Sequence, residues 1–252
     1  MTDCRLIVDP PAAGAWNMAV DEVLWGWSGR SGGCCLRLYR WNQPTLSLGY
    51  FQSFDQRQQH AASRSCAAVR RISGGGAIVH DAELTYSLTV PLSHPAAPSR
   101  QRLYDVVHQS IVELLADWGV VAAIQPATDS PKPAERPFLC FQRRMPGDVL
   151  VERFKVAGSA QRRSHAAVLQ HGSLLLAQSD AAPELPGLRE LAGFRHPVEE
   201  VVDHWLGRLS RCLETRWLRS ELSLEERTEA AQVVADKHAA NAWIRYRNHL
   251  TG

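Results

Sequence analysis

The chain of 252 residues contains no run of 18 uninterrupted apolar residues, so no membrane-spanning helix is expected. Its six cysteines include no CxxC pair, which argues against a zinc knuckle or a thioredoxin-type centre, and no metal site is expected. There is no Walker pattern, and no GxGxxG opens a helix. Excess charge of one sign is also missing. Lys and Arg number 28 against 26 Asp and Glu, a formal net charge of +2. That balance argues against a strongly basic nucleic-acid binder but leaves room for a local basic patch. Neither nucleic acid nor a membrane is an expected partner. The opening stretch, MTDCRLIVDPP, has an acidic residue and two prolines where a signal peptide needs an apolar run. A reducing, cytoplasmic setting with free thiols is therefore expected. No internal repeat is evident.

What is present is an ordinary globular balance, 45% apolar and 21% charged, long enough to bury a core. Trp16, Val20, Val23, Leu24 and Trp27 fall at helical spacing and predict a helix over 14–27. The stretches 35–41 and 45–51 alternate about the turn signal Asn42–Gln43–Pro44 and read as a hairpin. Residues 84–90 alternate most cleanly. Ser99 is placed to cap a helix with Leu103, Val107, Ile111, Leu114 and Trp118 on one face, ended by Gly119. Residues 126–138, rich in proline and charge, read as an exposed loop. Strands are expected at 147–152, 155–161 and 167–177. Beyond Pro183 the pattern turns helical, with Val198, Val201, Val202, Trp205, Leu209 and Leu213 on one face and a capping box from Ser223 to Glu226. The pattern divides the chain into an α+β body, 1–180, and a helical appendage, 181–252.

Three stretches carry candidate chemistry. RRISGGGAIVHD (70–81) sets two arginines before three glycines. Glycine lets a backbone approach a ligand, and successive N–H groups there can form an anion-binding nest beside Arg70 and Arg71. The same strand–glycine–strand pattern is also that of a plain hairpin with crowded backbone. In KVAGSAQ (155–161), Val156, Gly158 and Ala160 share an unusually small face, which leaves room for a ligand or a second backbone. Lys155 reads either as a solvated surface lysine or, if buried, as a group for a carbonyl oxygen or a neighbouring thiol. His80 and His171 read as hydrogen-bonded core histidines before they read as bases. Cys140, between Leu139 and Phe141, is a packing residue or a nucleophile. Cys34 and Cys35 are adjacent, so they lie on opposite faces of a strand and cannot share a pocket.

Taken together, WNMAVDEVL (16–24), WNQPTLSLGYFQ (41–52), RRISGGGAIVHDAELTYSL (70–88), KVAGSAQ (155–161), LQHGSLLL (169–176) and VADKHAANAW (234–243) resemble the lipoate–biotin protein ligase and octanoyltransferase superfamily. The resemblance spans nearly the whole chain. It implies an α+β domain with a large mixed, mostly antiparallel sheet flanked by helices, acting on one lysine of a carrier domain. It implies a substrate pocket walled by Arg71, Gly74, Gly75, Gly76, Ala77, Ile78, Val79, His80, Gly158, Ser159, Ala160, His171 and Gly172. Among these, Arg71 and 76–79 match positions that meet the nucleotide in ligases, and Lys155 matches the lysine that reaches the activated carbonyl.

One transferase branch carries its cysteine in a CF pair fifteen residues before that lysine, and Cys140–Phe141 stands fifteen residues before Lys155. The resemblance thus implies an octanoyltransferase without cofactor and with Cys140 and Lys155 catalytic. Its donor would be octanoyl acyl carrier protein, and its acceptor a lipoyl domain or the glycine-cleavage H protein. Arg143, Arg144, Arg162 and Arg163 would steer these acidic carriers. The other readings are an ATP- and Mg-dependent lipoate–protein ligase, an octanoyl amidotransferase between lipoyl domains, and a non-catalytic acyl- or carrier-binding protein. The segment FQRRMPGDV departs from the aromatic-rich stretch of that transferase branch. The GRGRxG loop and the N-terminal helix-turn-helix of bifunctional biotin ligases are absent.

Overall fold

The computed structural model describes residues 1–97, 99–127 and 137–247, so most of the proline-rich loop foreseen at 126–138 lies outside the described residues. Eleven strands and six helices are found among them: β1 (Thr2–Val8), α1 (Gly14–Ser31), β2 (Cys34–Tyr39), β3 (Thr45–Leu48), β4 (Ala67–Arg70), β5 (Ile78–His80), β6 (Glu83–Pro91), α2 (Arg100–Asp117), β7 (Ala122–Ile124), β8 (Val149–Val151), β9 (Phe154–Arg163), β10 (Ala167–Leu175), α3 (Leu188–Ala192), α4 (Val198–Leu213), β11 (Thr215–Arg219), α5 (Leu224–Val233) and α6 (Asn241–Tyr246). Eight strands form one sheet in the order β11-β1-β2-β6-β10-β9-β8-β7, and three form a second, β4-β3-β5. The large sheet is mixed. β1 runs parallel to both β11 and β2, and the remaining pairings are antiparallel.

The alternation of strand side chains divides the core. Cys34, Leu36, Leu38, Leu84, Tyr86 and Leu88 face α2 and α4, where Leu103, Val107, Ile111, Trp205 and Leu209 complete the main cluster. Cys35 and Ile7 face the other way, against Val20 and Leu24 of α1 and Ala230 of α5. The two adjacent cysteines therefore do point to opposite faces. Ser99 caps α2 by accepting from the backbone N–H of Arg102, and Gly119 takes φ +71° just past its end. The capping box of Ser223 and Glu226 opens α5.

Two foreseen hairpins do not form. β2 is buried along its whole length and pairs with β1 on one side and β6 on the other, leaving no edge for β3. The 42–44 turn instead carries the chain out of the large sheet, and β3 becomes the centre of the small one. There β4 pairs parallel with β3 and β5 pairs antiparallel with it. The glycine run thus crosses from one edge of β3 to the other, and its two flanking strands never touch as partners. The segment after 180 is helical as expected but also holds β11, which extends the large sheet beside β1. Its helix α4 shares the main core with the body, so the packing is continuous across that boundary.

Candidate active site

On its α1 side the middle of the large sheet is polar yet buried. Arg37 lies fully inside, donating to Asp9, Asp21 and both oxygens of Asn17. Asp21 also accepts from the Tyr39 hydroxyl at 2.9 Å and meets His171 Nδ1 at 3.2 Å. Such groups are tolerated inside because each has a partner. Beside this layer opens a cavity lined by residues of α1, the glycine run, β5, β9, β10 and the 140–142 turn.

The floor of the cavity crosses the strands. Gly158, Ser173, Thr85 and Tyr39 are register partners on β9, β10, β6 and β2. At the usual spacing of neighbouring strands this row is about 14 Å long. Met18 packs with Tyr39, Trp41 and Val69 at the β2 end. At the β9 end stand Cys140 and Lys155.

Cys140 is half-buried and begins a single helical turn, Cys140–Gln142. The preceding chain is strapped to the end of the glycine run. Ala77 N–H donates to Phe138 O, and Cys140 N–H donates to Ala77 O at 2.7 Å. The Phe141 ring lies 5.1 Å beneath Lys155 Nζ. Lys155 is 5% exposed, so the surface-lysine reading does not hold. Its Nζ lies 3.6 Å from Cys140 Sγ and 2.8 Å from Asp148 Oδ2. Burial pushes the Lys155 pKa down. Its charge interactions and hydrogen bonds with the Cys140 sulfur and the Asp148 carboxylate outweigh that and hold it above the usual lysine value. The lysine is an ammonium at neutral pH.

Lys155 reaches the cavity through an irregularity. In a regular strand it would face away from Gly158 and alongside Ala157. A register shift between Val149 and Leu150 against β9 pairs Leu150 with Lys155 and Val149 with Ala157. The extra residue, Val156, turns into the main core, and Lys155 comes round to the face of Gly158. The small face foreseen as Val156, Gly158 and Ala160 is therefore corrected to Gly158 and Ala160, with Lys155 folded over them. A Cβ on Gly158 would stand 2.2 Å from Lys155 Cε, so only glycine leaves room for the lysine stem.

The glycine run supplies the opposite wall. Gly75 takes φ +97°, and its carbonyl comes so near Gly49 that a Cβ there would be 2.1 Å from it. Buried Arg71 donates to Ser47 O, Ser47 Oγ, Gly74 O and Gly76 O. Those bonds brace the loop from within, and burial brings the arginine's pKa down to about 10, still charged at neutral pH. Period-two alternation splits the next four residues. Ile78 and His80 line the cavity, while Ala77 and Val79 join a satellite core with Leu46 and Leu139. Gly74, Gly75, Ser159, His171 and Gly172 also line it, and Gly76 packs against the Arg143 guanidinium. His80 stacks on Trp41 with centroids 3.9 Å apart and bonds Glu83 through Nδ1. Burial holds its pKa below the usual imidazole value, so it is neutral. His171 Nε2 meets Ser73 Oγ at 2.5 Å, tying β10 to the glycine run.

Several residues in or behind the cavity wall escaped the sequence reading. Asp148 is 1% exposed and accepts from Tyr104 O–H at 2.8 Å, from Met145 N–H and from Lys155. A lone carboxylate at the head of the apolar run VLV was its one available signal. Met18, Thr85 and Ser173 lie within the stretches that carry the resemblance and Phe141 within the Cys140–Phe141 pair, yet nothing in the sequence singles them out as lining; Tyr39 lies outside those stretches altogether. Two of the four steering arginines are turned inward. Arg143 donates to Pro137 O and Arg163 to Ala97 O.

A cavity lying across the sheet, with a thiol and a buried ammonium at one end, defines a site able to hold an extended substrate beside a nucleophile. Comparison with known proteins agrees. Residues 13–210 match the family model of the lipoyl protein ligase A/B catalytic domain, and the chain belongs to that family. It is 34% identical over 274 residues to octanoyltransferase LipM of Kyrpidia tusciae, covering 96% of this chain and 98% of that one. It is 38% identical over 180 residues to octanoyltransferase LipM of Bacillus subtilis, 68% and 65% covered. Among solved structures, a putative lipoate protein ligase from T. acidophilum superposes with a TM-score of 0.79 at 19% identity over 97% of this chain and 99% of that one. P. falciparum LipL1 in complex with lipoate gives 0.70 at 13%, with 97% and 74% covered. The chain is an enzyme, an acyltransferase of this family.

Proposed function

We propose that the chain is a protein octanoyltransferase of lipoate biosynthesis. It takes octanoate from acyl carrier protein, holds it as a thioester on Cys140 and passes it to the target lysine of a lipoyl domain or glycine-cleavage H protein, with no cofactor. The observation that carries this reading is Cys140 Sγ within 3.6 Å of a buried, charged Lys155 at one end of the cavity. Relatives along nearly the whole length carry the octanoyltransferase name.

The steps balance without an external reagent. Cys140 thiolate adds to the carbonyl carbon of the donor thioester, and the donor's C–S bond breaks. The departing carrier thiolate takes a proton, leaving octanoyl-Cys140. The neutral amine of the acceptor lysine then adds to that carbonyl, the Cys140 C–S bond breaks, and the amide forms as the amine loses its proton. Lys155 Nζ stabilises the sulfur anion at both ends of the cycle. It also stands where a tetrahedral oxyanion develops, a contact worth roughly 3–4 kcal/mol at comparable sites. Asp148 keeps that lysine charged and aimed. The 14 Å floor exceeds an extended eight-carbon chain, and each buried methylene contributes about 0.8 kcal/mol.

The test is a transfer assay with purified chain, octanoyl acyl carrier protein and a lipoyl domain, with ATP omitted. Octanoylation of the domain is the expected result. Modification only with free octanoate or lipoate plus ATP and Mg would establish the ligase reading. Transfer only from an octanoylated H protein would establish amidotransfer. No modification under any condition would leave a binding protein.

A further inference from the structure

Outside the cavity lies a surface that the chemistry above does not use. Phe51 is 76% exposed, and a Cβ on Gly74 of the cavity wall would touch its ring at 4.0 Å. Its ring meets Tyr50 edge-on at 4.9 Å, and the exposed Arg162 guanidinium lies 5.6 Å over Tyr50. Three residues on, Phe54 is flanked by two arginines, Arg57 at 5.1 Å and Arg245 at 4.5 Å from its ring. Three distant segments thus converge beside the cavity: the loop after β3, the end of β9 and the C-terminal tail.

The positive charges here are uncompensated. Among the described residues Arg57, Arg162, Arg245 and Arg247 form no ion pair. Arg57 spends its donors on Arg64 O and Cys66 O, and Arg245 bonds only Asn241. The loop 49–64 holds one carboxylate, Asp55. Burial and then the charge of Arg245 lower the Arg57 pKa, and burial and then Arg247 lower that of Arg70, so like charges sit close enough to repel.

The tail is held in place by dedicated bonds. Arg70 donates to the carbonyls of Trp243, Ile244, Gly49, Tyr50 and Gln52, and Trp243 Nε1 donates back to Arg70 O. Holding repelling cations around an exposed aromatic costs stability in the free protein, and an anionic partner recovers it.

We propose that Phe51, Arg162, Arg245 and Arg247 form the docking surface for the acidic protein domain that delivers the acyl thioester. The proposal rests on the transferase reading. It replaces Arg143 and Arg163, which are engaged within the chain. The partner is a protein domain because the exposed phenylalanine, set between the cations and the cavity, fits an apolar spot within an acidic surface.

The test measures acylation of Cys140 by octanoyl acyl carrier protein and by octanoyl-N-acetylcysteamine, a small neutral thioester. In the full chain, the pair Arg162→Glu and Arg245→Glu should lower kcat/KM for the carrier-borne donor at least tenfold and flatten its dependence on salt. Phe51→Ala should lower it several-fold with the salt slope intact. The small thioester should react at the wild-type rate in every variant. Unchanged rates with the carrier, or equal losses with both donors, would overturn the proposal. Unchanged carrier rates with lost cosedimentation on phosphatidylglycerol vesicles would overturn it in favour of a lipid surface. A wild-type chain acylated by neither donor would overturn the transferase reading beneath it.

Discussion

Lys155 is charged in a place where burial alone would lower its pKa, and Asp148 is the neighbour outside the thiol that offsets this. Asp148→Asn should therefore lower kcat/KM by roughly 10–100-fold, less than the loss of about 10²–10³ on removing an oxyanion donor itself. It should also move the alkaline limb of the pH–rate profile to lower pH. The sign follows from the raised lysine pKa, which falls when its anionic partner is neutralised. A variant with lowered rate and an unmoved alkaline limb would give Asp148 a merely structural role. Gly158→Ala is a second test. Its Cβ would meet the far part of a flexible side chain and not backbone, so the fold should survive while the lysine is displaced. A melting temperature close to wild type with at least tenfold lower activity is expected.

At the scale of elements, the cavity floor is a row of register partners with Met18 and Tyr39 at one end, so on the proposed function α1 and β2 set the length of chain accepted. Met18→Ala should shift the preferred acyl chain toward ten carbons, and Met18→Phe toward six, read from competition among acyl donors. The tail has its own signature. Burial opposes ionisation of Glu22, but the bonds and charges of His238 and Lys237 bring its pKa down to about 2. A depressed carboxylate stabilises the fold above its unfolded pKa, near 4.3, and that contribution is lost as pH falls toward 2. Between pH 5 and 2 the melting temperature of the wild type should fall more steeply than that of Glu22→Gln.

Element existence was largely legible in the sequence. The periodicity of α2 and α4, the Ser99 cap and the capping box at Ser223 each rest on local contacts. Pairing was not, because it depends on where a strand finds two neighbours. β2 is buried on both faces because Arg37 and the Tyr39 hydroxyl are paired with Asp21, so it went to the middle of the sheet and β3 was displaced. β6 shows the same limit. Its Leu84, Tyr86, Leu88 face is plain in sequence, yet its Glu83, Thr85, Ser87 face is also buried, against partners such as Ser173, Trp41 and Arg37 that lie far away in the chain.

For the whole molecule, the motifs named the stretches that surround the cavity but not the contact between them. Cys140 is brought to Lys155 by a strap onto Ala77 and by a bulge on β9, neither of which has a sequence signature. Asp148 and the arginines of the tail come from segments whose adjacency only the completed fold creates. The large sheet holds Lys155, the small sheet holds the glycine wall, and the turn carrying Cys140 joins them. The proposed function turns on the acyl group being carried on sulfur at this junction. It is tested by intact mass after mixing the chain with octanoyl acyl carrier protein in the absence of ATP. A single octanoyl adduct is expected that maps to Cys140, is released by hydroxylamine and is absent in Cys140→Ser. An unmodified chain that nevertheless octanoylates a lipoyl domain, or an adduct that persists in Cys140→Ser, would contradict the proposed function.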